Sequence, residues 1–430
     1  MTSLYLLLWI TGGVLLQIAV YLSLGFWRHW QAYQALRTAA AEFDIAVDPA
    51  AATPEMAPTA VAAWPGYRSF HVERKVLEDP AGQVCSFYLL PEDGKPLPPF
   101  LPGQFLTFQL DIPAPAGGTQ TVVRCYSLSD APQSGHYRIS VKRAPSPAGS
   151  AHPAGVSSNY FHDHVEVGSA LKVRAPGGHF HIDHSDAPVV LIGGGVGITP
   201  MLSMLNWCLV AQPGREVWLF YGVRNRSELV MQTHLADVAA QHPNVHLHLC
   251  LSDPQMDDLT GLQSASVHGH HSRVDVALLR RLLPLKPYHY YICGPTPMLQ
   301  SLVPALEDWG VPDGRIHFEA FGPASIPRKN SGPAARATTQ GDNAGAAVVV
   351  TFAKSGKQET WKPGMGSLLD FAEARGIPVS SGCRAGGCGS CQTPIRSGEV
   401  AYTQAPDFDP EPGCCLLCVC TPKTAVTLEA

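Results

Sequence analysis

At 430 residues the chain is long enough for roughly two to four domains, and its 45% apolar and 15% charged residues describe an ordinary globular protein rather than a disordered or fibrous one. Lys+Arg at 30 against Asp+Glu at 35 leaves a net charge of -5, so no basic excess points to nucleic acid. Of 12 cysteines, five are scattered among apolar runs and seven crowd into residues 383–420. That clustering reads as metal ligation in a reducing compartment and argues against a secreted disulfide framework.

The N-terminal residues 4–27 form an uncharged run of 24. As a helix it would reach roughly 36 Å, enough for a hydrocarbon core of about 30 Å. The run is too long for a signal-peptide core and lacks a basic n-region and a small-residue cleavage site, which favours an uncleaved anchor. Arg28, His29 and Arg37 follow the run and no basic side chain precedes it. The expectation is a single-pass protein of the inner or cytoplasmic membrane, N-terminus out and catalytic domains cytoplasmic. Residues 30–45 read as a helical extension, and the Ala/Pro-rich stretch 48–64 as a spacer without a core.

From Tyr67 the pattern turns strand-like. Short alternating runs at 84–90 and 105–110, separated by Gly/Pro turns, predict about six strands in a small antiparallel barrel. Within it lie Arg124-Cys125-Tyr126-Ser127, then Tyr137-Arg138-Ile139-Ser140-Val141-Lys142-Arg143, then Gly155-Val156-Ser157-Ser158-Asn159-Tyr160-Phe161. An arginine can neutralise a flavin phosphate, a tyrosine can stack on the isoalloxazine, and a serine can hydrogen-bond near its N5. These blocks resemble the flavin signature of ferredoxin-NADP reductase-like enzymes, and among those the reductase half of flavohaemoglobins. The resemblance implies FAD, with FMN the alternative found in related oxygenase reductases. It implies roles in holding the flavin for Arg124, Tyr126, Ser127, Val141 and Lys142, and for Gly155, Val156, Ser157 and Ser158 beside the pyrophosphate.

After Ala175-Pro176-Gly177-Gly178 the period changes to alternating strands and helices, the mark of a parallel α/β sheet. An apolar strand at 189–192 runs into Gly193-Gly194-Gly195-Val196-Gly197-Ile198-Thr199-Pro200. Thr199 reads as the N-cap of the next helix, with Pro200 at its first position and a phosphate-favouring N-terminus. The turn is similar to the nicotinamide turn of the same family, through Gly194, Gly195, Gly197, Thr199 and Pro200. After the second strand come Arg224 and Arg226, where an acidic residue would favour NADH and an arginine can accept a 2′-phosphate. The nucleotide is left as NAD(P)H. Cys293-Gly294-Pro295 resembles the family's strand end at the nicotinamide. The tail through Glu319 and Phe321 corresponds to the segment that returns to the flavin edge, with Phe321 covering the ring. By this likeness Tyr126, Ser127, Thr199, Cys293, Glu319 and Phe321 serve hydride transfer. His246 with His248, and His268 with His270 and His271, lack a companion carboxylate or cysteine at ligand spacing and read as a half-buried strand and a solvated loop.

Residues 323–346 are turn formers without a hydrophobic pattern and predict a flexible link. Beyond them Cys383, Cys388 and Cys391 follow the C-x4-C-x2-C spacing of plant-type [2Fe-2S] proteins. The fourth ligand is one of Cys414, Cys415, Cys418 and Cys420. The family pattern of leucine, cysteine and a following proline implies Cys418, through Leu416, Leu417 and Pro422. A strand at 347–352, a turn at 354–357 and a helix at 368–375 follow β-grasp order.

The expected fold class is multidomain. It comprises a transmembrane anchor at 1–30, a helical extension and linker at 31–65, an antiparallel FAD-binding β-barrel at 66–183, an NAD(P)-binding parallel-sheet α/β domain at 184–322, a flexible linker at 323–345 and an α+β β-grasp ferredoxin domain at 346–430. The resemblance implies that a hydride enters at the flavin and single electrons leave through the cluster. The expected outlet is a protein acceptor such as an oxygenase component; a quinone and a redox-sensing role are the alternatives.

Overall fold

A computed structural model describes residues 63–321 and 347–430 apart from 115–116, 133–134, 147–153, 261, 265, 383, 385, 404–405 and 407, together with Gln17 and Trp30. The expected anchor, extension and spacer, the 323–345 linker and Cys383 therefore lie outside the described residues. The transmembrane expectation is corrected: among the described residues no helix is long and apolar enough to cross a membrane. The longest described helix has 14 residues, about 21 Å against the roughly 30 Å a hydrocarbon core requires. The membrane location deduced from that span is withdrawn with it.

The first domain is a six-stranded antiparallel sheet: β1 (Tyr67–Leu77), β2 (Val84–Pro91), β3 (Phe105–Pro113), β4 (Thr119–Ser127), β5 (Tyr137–Lys142) and β6 (Ala170–Gly177), in the order β4-β3-β6-β1-β2-β5. A bridge between Leu128 and Ile139 joins its two edges and closes the barrel. Phe70, Phe87, Leu89, Phe108, Tyr137 and Ile139 fill the interior. Helix α1 (Val156–His164) is pinned to the barrel by Phe161, whose ring meets those of Phe87 and Phe108 edge to face at 5.2 and 5.4 Å.

The second domain is a sheet of six strands, each neighbouring pair parallel: β7 (Val189–Gly194), β8 (Val217–Val223), β9 (Val245–Leu251), β10 (Val267–His271), β11 (His289–Gly294) and β12 (Ile316–Ala320), in the order β10-β9-β8-β7-β11-β12. Helices α2 (Ile198–Ala211), α3 (Gln232–Gln241), α4 (Val276–Leu282) and α5 (Thr296–Asp308) connect them. The central strands are apolar on both sides because both faces are covered, Leu191 and Leu219 facing one core and Val190 and Phe220 the other.

The third domain has a five-stranded mixed sheet in the order β14-β13-β19-β15-β17: β13 (Val348–Phe352), β14 (Lys357–Trp361), β15 (Gln392–Ser397), β17 (Cys414–Leu416) and β19 (Val426–Leu428). The two-stranded pair of β16 (Val400–Tyr402) and β18 (Cys420–Pro422) flanks it. Helix α6 (Leu368–Glu373) starts at a capping box in which Ser367 and Asp370 serve each other's backbone. Its Leu368, Leu369 and Phe371 join Phe352 and Leu417 in the core.

Candidate functional site

A cavity of about 1130 Å3 opens where the three domains meet. The barrel contributes Arg124, Tyr126, Ser127 and Lys142, α1 contributes Ser158, and the second domain Thr199, Glu319 and Phe321. Trp361, Asp370, Arg384 and Cys418 line it from the third.

Barrel closure explains the first group. Since β4 and β5 meet only at their ends, the seam between them presents Arg124 and Tyr126, which strand alternation puts on one face, and Lys142 at the end of β5. The Tyr126 ring is set edge to face against Phe161 at 5.1 Å, and its hydroxyl lies 2.9 Å from Ser157 Oγ at the start of α1. Burial pushes the Tyr126 phenol up to about 12, so it is neutral and a hydrogen-bond partner at physiological pH. Arg124 Nη1 donates to the Val123 carbonyl at 2.7 Å, which orients the guanidinium. A Cβ at Gly155 would stand 2.7 Å from that of Ala144 and 2.9 Å from Ser158 Oγ, so only glycine allows α1 to begin so close to the barrel.

The second group is built on the glycine-rich turn after β7. Gly195 has φ +54, and a Cβ on Gly197 would fall 2.2 Å from the Cys293 carbonyl oxygen. Gly194 and Gly294 also approach each other closely, a Cβ on Gly294 meeting Gly194 Cα at 3.0 Å and Met298 Cε at 2.6 Å. The ends of β7 and β11 therefore touch through backbone, bringing Gly194, Gly197, Cys293, Gly294 and Pro295 together. The cap expected at Thr199 is corrected. A short 3-10 turn, Gly195–Gly197, runs straight into α2, whose N-cap is Gly197; Thr199 and Pro200 lie inside the first turn and Thr199 Oγ1 donates to the Val196 carbonyl at 3.0 Å. Pro200 is tolerated there because first-turn amides have no partner within the helix. Cys293 is fully buried beside Glu319, its register partner on β12; burial and then that carboxylate hold its thiol well above the ordinary value. It is a packed neutral thiol, outside the cavity lining, while Glu319 and the half-exposed Phe321 reach the cavity itself. Arg224 and Arg226 stand apart, beyond the end of β8.

In the third domain the sulfurs of Cys391 and Cys418 are 3.2 Å apart, and contact with Cys418 lowers the Cys391 thiol despite its burial. The loop carrying Cys388 and Cys391 is shaped by left-handed backbone at Arg384, Gly386 and Gly389. A Cβ at Gly382 would lie 2.7 Å from Cys388 Sγ, and one at Gly389 2.5 Å from the Phe408 ring. Converging thiols inside a cradle that admits no further side chains fit an iron-sulfur cluster. Of the other cysteines, Cys415 and Cys420 are fully buried, and Cys414 pairs in the ladder with Pro394.

Sequence reasoning missed the third-domain side of the cavity. Trp361, Asp370 and Arg384 carry no motif of their own; Arg384 is held by Glu373 and by Asp370 at 3.6 Å. Of the two histidine segments, His246 and His248 lie on the expected half-buried strand, β9, and the other came out differently. Residues 267–271 form β10 rather than a solvated loop, and parallel pairing of His268 with His248 brings His270 Nε2 to 3.0 Å from His248 Nδ1. These histidines form no metal site: among the described residues, which leave out Cys383 of the iron-sulfur spacing, no group of three or more His, Cys, Asp or Glu is placed to hold a metal ion.

Three family descriptions match in chain order: an oxidoreductase FAD-binding domain over residues 89–182, an oxidoreductase NAD-binding domain over 191–303 and a 2Fe-2S iron-sulfur cluster binding domain over 350–423. The flavohemoprotein of Halalkalibacterium halodurans is 39% identical over 271 residues, 63% of each chain. The present chain thus spans under two thirds of that relative's length. The flavohem-like FAD/NAD-binding domain of a Vibrio cholerae nitric oxide dioxygenase is 32% identical at a TM-score of 0.50, covering 60% of this chain and 100% of that one. Phthalate dioxygenase reductase, described as a modular structure for electron transfer from pyridine nucleotides to [2Fe-2S], is 26% identical at a TM-score of 0.50, over 85% of this chain and 98% of its own. The chain belongs to the ferredoxin-NADP reductase-like flavin/NAD(P)H reductases, fused here to a C-terminal plant-type [2Fe-2S] domain. Its domains are oxidoreductase domains for FAD, a nicotinamide nucleotide and a [2Fe-2S] cluster.

Proposed function

We propose that this reductase supplies single electrons to an oxygenase-type protein acceptor through its C-terminal domain. The observation that carries the reading is the shared cavity: the flavin signature residues Arg124, Tyr126 and Ser127 and the cluster-loop residue Cys418 line one space. When bound, the flavin supplies the conversion between two-electron and one-electron chemistry, and the protein supplies position and electrostatics. Arg124 offers its remaining guanidinium donors to the flavin phosphate. Tyr126, fixed by Ser157 and Phe161, gives the ring a flat apolar neighbour, and Ser127 a hydroxyl at its edge. The N-terminus of α1, with Gly155, Val156, Ser157 and Ser158, presents amides to the pyrophosphate, while Val141 and Lys142 flank it. Thr199 faces the nicotinamide from the cavity wall, Cys293, Gly294 and Pro295 support that wall from behind, and Glu319 and Phe321 close over it. Cys383, Cys388, Cys391 and Cys418 hold the cluster. The likeness over almost the whole of phthalate dioxygenase reductase supports the type of acceptor.

The test compares acceptors. NAD(P)H-dependent reduction of ferricyanide, which reaches a flavin edge directly, should persist in Cys418→Ser, while reduction of a one-electron protein such as cytochrome c should collapse. Equal cytochrome reduction by both proteins would remove the C-terminal domain from the route.

A further inference from the structure

The second strand of a nucleotide-binding α/β unit ends where the adenosine ribose lies, and the residues there decide whether a 2′-hydroxyl or a 2′-phosphate is accepted. Here that strand is β8, and Arg224 follows it directly. Read from sequence, Arg224 and Arg226 leave room for NADPH. The side chains do not offer that charge.

Both Nε and Nη2 of Arg224 donate to one oxygen of Glu228, the first at 2.7 Å. Glu228 is the fixed member of the pair: its side chain is 13% exposed against 73% for Arg224. The other oxygen of Glu228 lies 4.0 Å from Lys142 Nζ, the next cation in this corner. Arg226 is committed elsewhere, its Nη1 donating to the Thr260 carbonyl at 3.1 Å and its backbone amide to Asp258 Oδ2 at 3.0 Å. Asp253 is bonded through its own amide to the Arg224 carbonyl at 2.7 Å and adds a further negative charge beside Arg224. Arg224, Arg226 and Lys142 are thus matched by Glu228, Asp258 and Asp253. A 2′-phosphate, close to a dianion, would have to displace from Arg224 a carboxylate oxygen that accepts two of its donors, and then remain beside that carboxylate. A 2′-hydroxyl needs no net positive charge and can use Glu228 as an acceptor.

We propose that this chain selects NADH over NADPH, and that Glu228 is the specificity-determining residue, acting by occupying the Arg224 guanidinium. The inference rests on the reductase reading above and concerns only the nucleotide's adenosine end.

The test uses the full chain loaded with flavin and cluster, with ferricyanide as acceptor. The kcat/KM for NADH should exceed that for NADPH by at least about tenfold, and 2′,5′-ADP should inhibit more weakly than 5′-ADP. In Glu228→Gln, which keeps shape and removes charge, Arg224 is released, so the NADPH/NADH ratio of kcat/KM should rise about tenfold and 2′,5′-ADP should become the better inhibitor. Adding Arg224→Ala should cancel that gain, which a general loosening of the loop would not do. An NADPH preference in the unmodified chain, or a ratio that Glu228→Gln leaves unmoved, overturns the inference while the reductase reading stands. Failure of both nucleotides to reduce ferricyanide overturns both.

Discussion

Arg124 and Cys418 test separate parts of the site. On the proposed role of Arg124 at the flavin phosphate, Arg124→Ala removes a charge-assisted partner commonly worth about 1.5 to 3 kcal/mol, so flavin affinity should fall roughly ten- to a hundredfold while the cluster's visible absorption stays. Fluorescence titration of flavin into the apo-flavin protein measures it. Cys418→Ser should abolish or strongly perturb the cluster spectrum, whereas Cys414→Ser, Cys415→Ser and Cys420→Ser should each leave it; loss through Cys420 alone would reassign the ligand. Both residues were legible in the sequence because each belongs to a short motif whose spacing matters chemically. Arg384 and Trp361 were not, since their position on the cavity depends on how the β14 turn and α6 face another domain.

At the scale of elements, the sheet edge formed by β9 and β10 stores a pH response. His246 stacks on Trp218 at 4.1 Å, and His248 lies between Phe220, His268 and His270 at 4.7 to 5.2 Å. Burial lowers all of His246, His248 and His270, and His248 falls to about 3. The neighbouring imidazoles add to the shift, Arg281 lowers His270 further and Glu216 opposes it at His246. A histidine held neutral when folded binds its proton mainly when unfolded. For His248 the contribution is therefore complete above the unfolded value near 6.5 and is lost as pH falls from there toward about 3, at about 1.4 kcal/mol per pH unit, and His246 and His270 act in the same direction. Melting at pH 7.5 and pH 5 should show a lower Tm at pH 5, and His248→Phe should flatten the difference; an unchanged slope would place the titration elsewhere. This strand was not legible because Val267-His268-Gly269-His270-His271 mixes a turn residue with polar rings, and only pairing with β9 makes its alternation apolar enough to bury. The start of α2 was misread for a related reason: Thr199-Pro200 is a good cap pattern, but the contact of Gly197 with Cys293 begins the helix two residues earlier. By contrast, the order of flavin, nicotinamide and iron-sulfur domains was readable from motif order alone.

At the scale of the molecule, hydride transfer needs the flavin and nicotinamide domains in fixed register, and one residue carries much of that joint. Asp130, just beyond β4, accepts from Asn206 Nδ2 at 2.8 Å through Oδ1 and from Ser203 Oγ at 2.8 Å through its carbonyl, both on α2. Its Oδ2 faces the buried Arg138 guanidinium at 3.4 Å, and Asn206 Oδ1 meets His234 Nε2 of α3 at 3.0 Å. Asp130→Ala would therefore do two things at once, removing the Asn206 half of the domain contact while the Ser203 bond to the carbonyl stays, and leaving a buried arginine short of its carboxylate, with a cost of about 3 to 5 kcal/mol expected for the latter. Asn206→Ala separates them, because it cuts the bridge between the domains and leaves Asp130 with Arg138. If the joint sets the distance between nicotinamide and flavin, Asn206→Ala should keep flavin content, cluster spectrum and nearly all of the Tm, and slow flavin bleaching by NADH several-fold in stopped flow, since small displacements of reacting groups cost rate steeply. Bleaching at the unmodified rate would mean that the Ser203 hydroxyl bond to the Asp130 carbonyl holds the register by itself. A Tm loss as large as that of Asp130→Ala would mean instead that the network serves stability more than alignment.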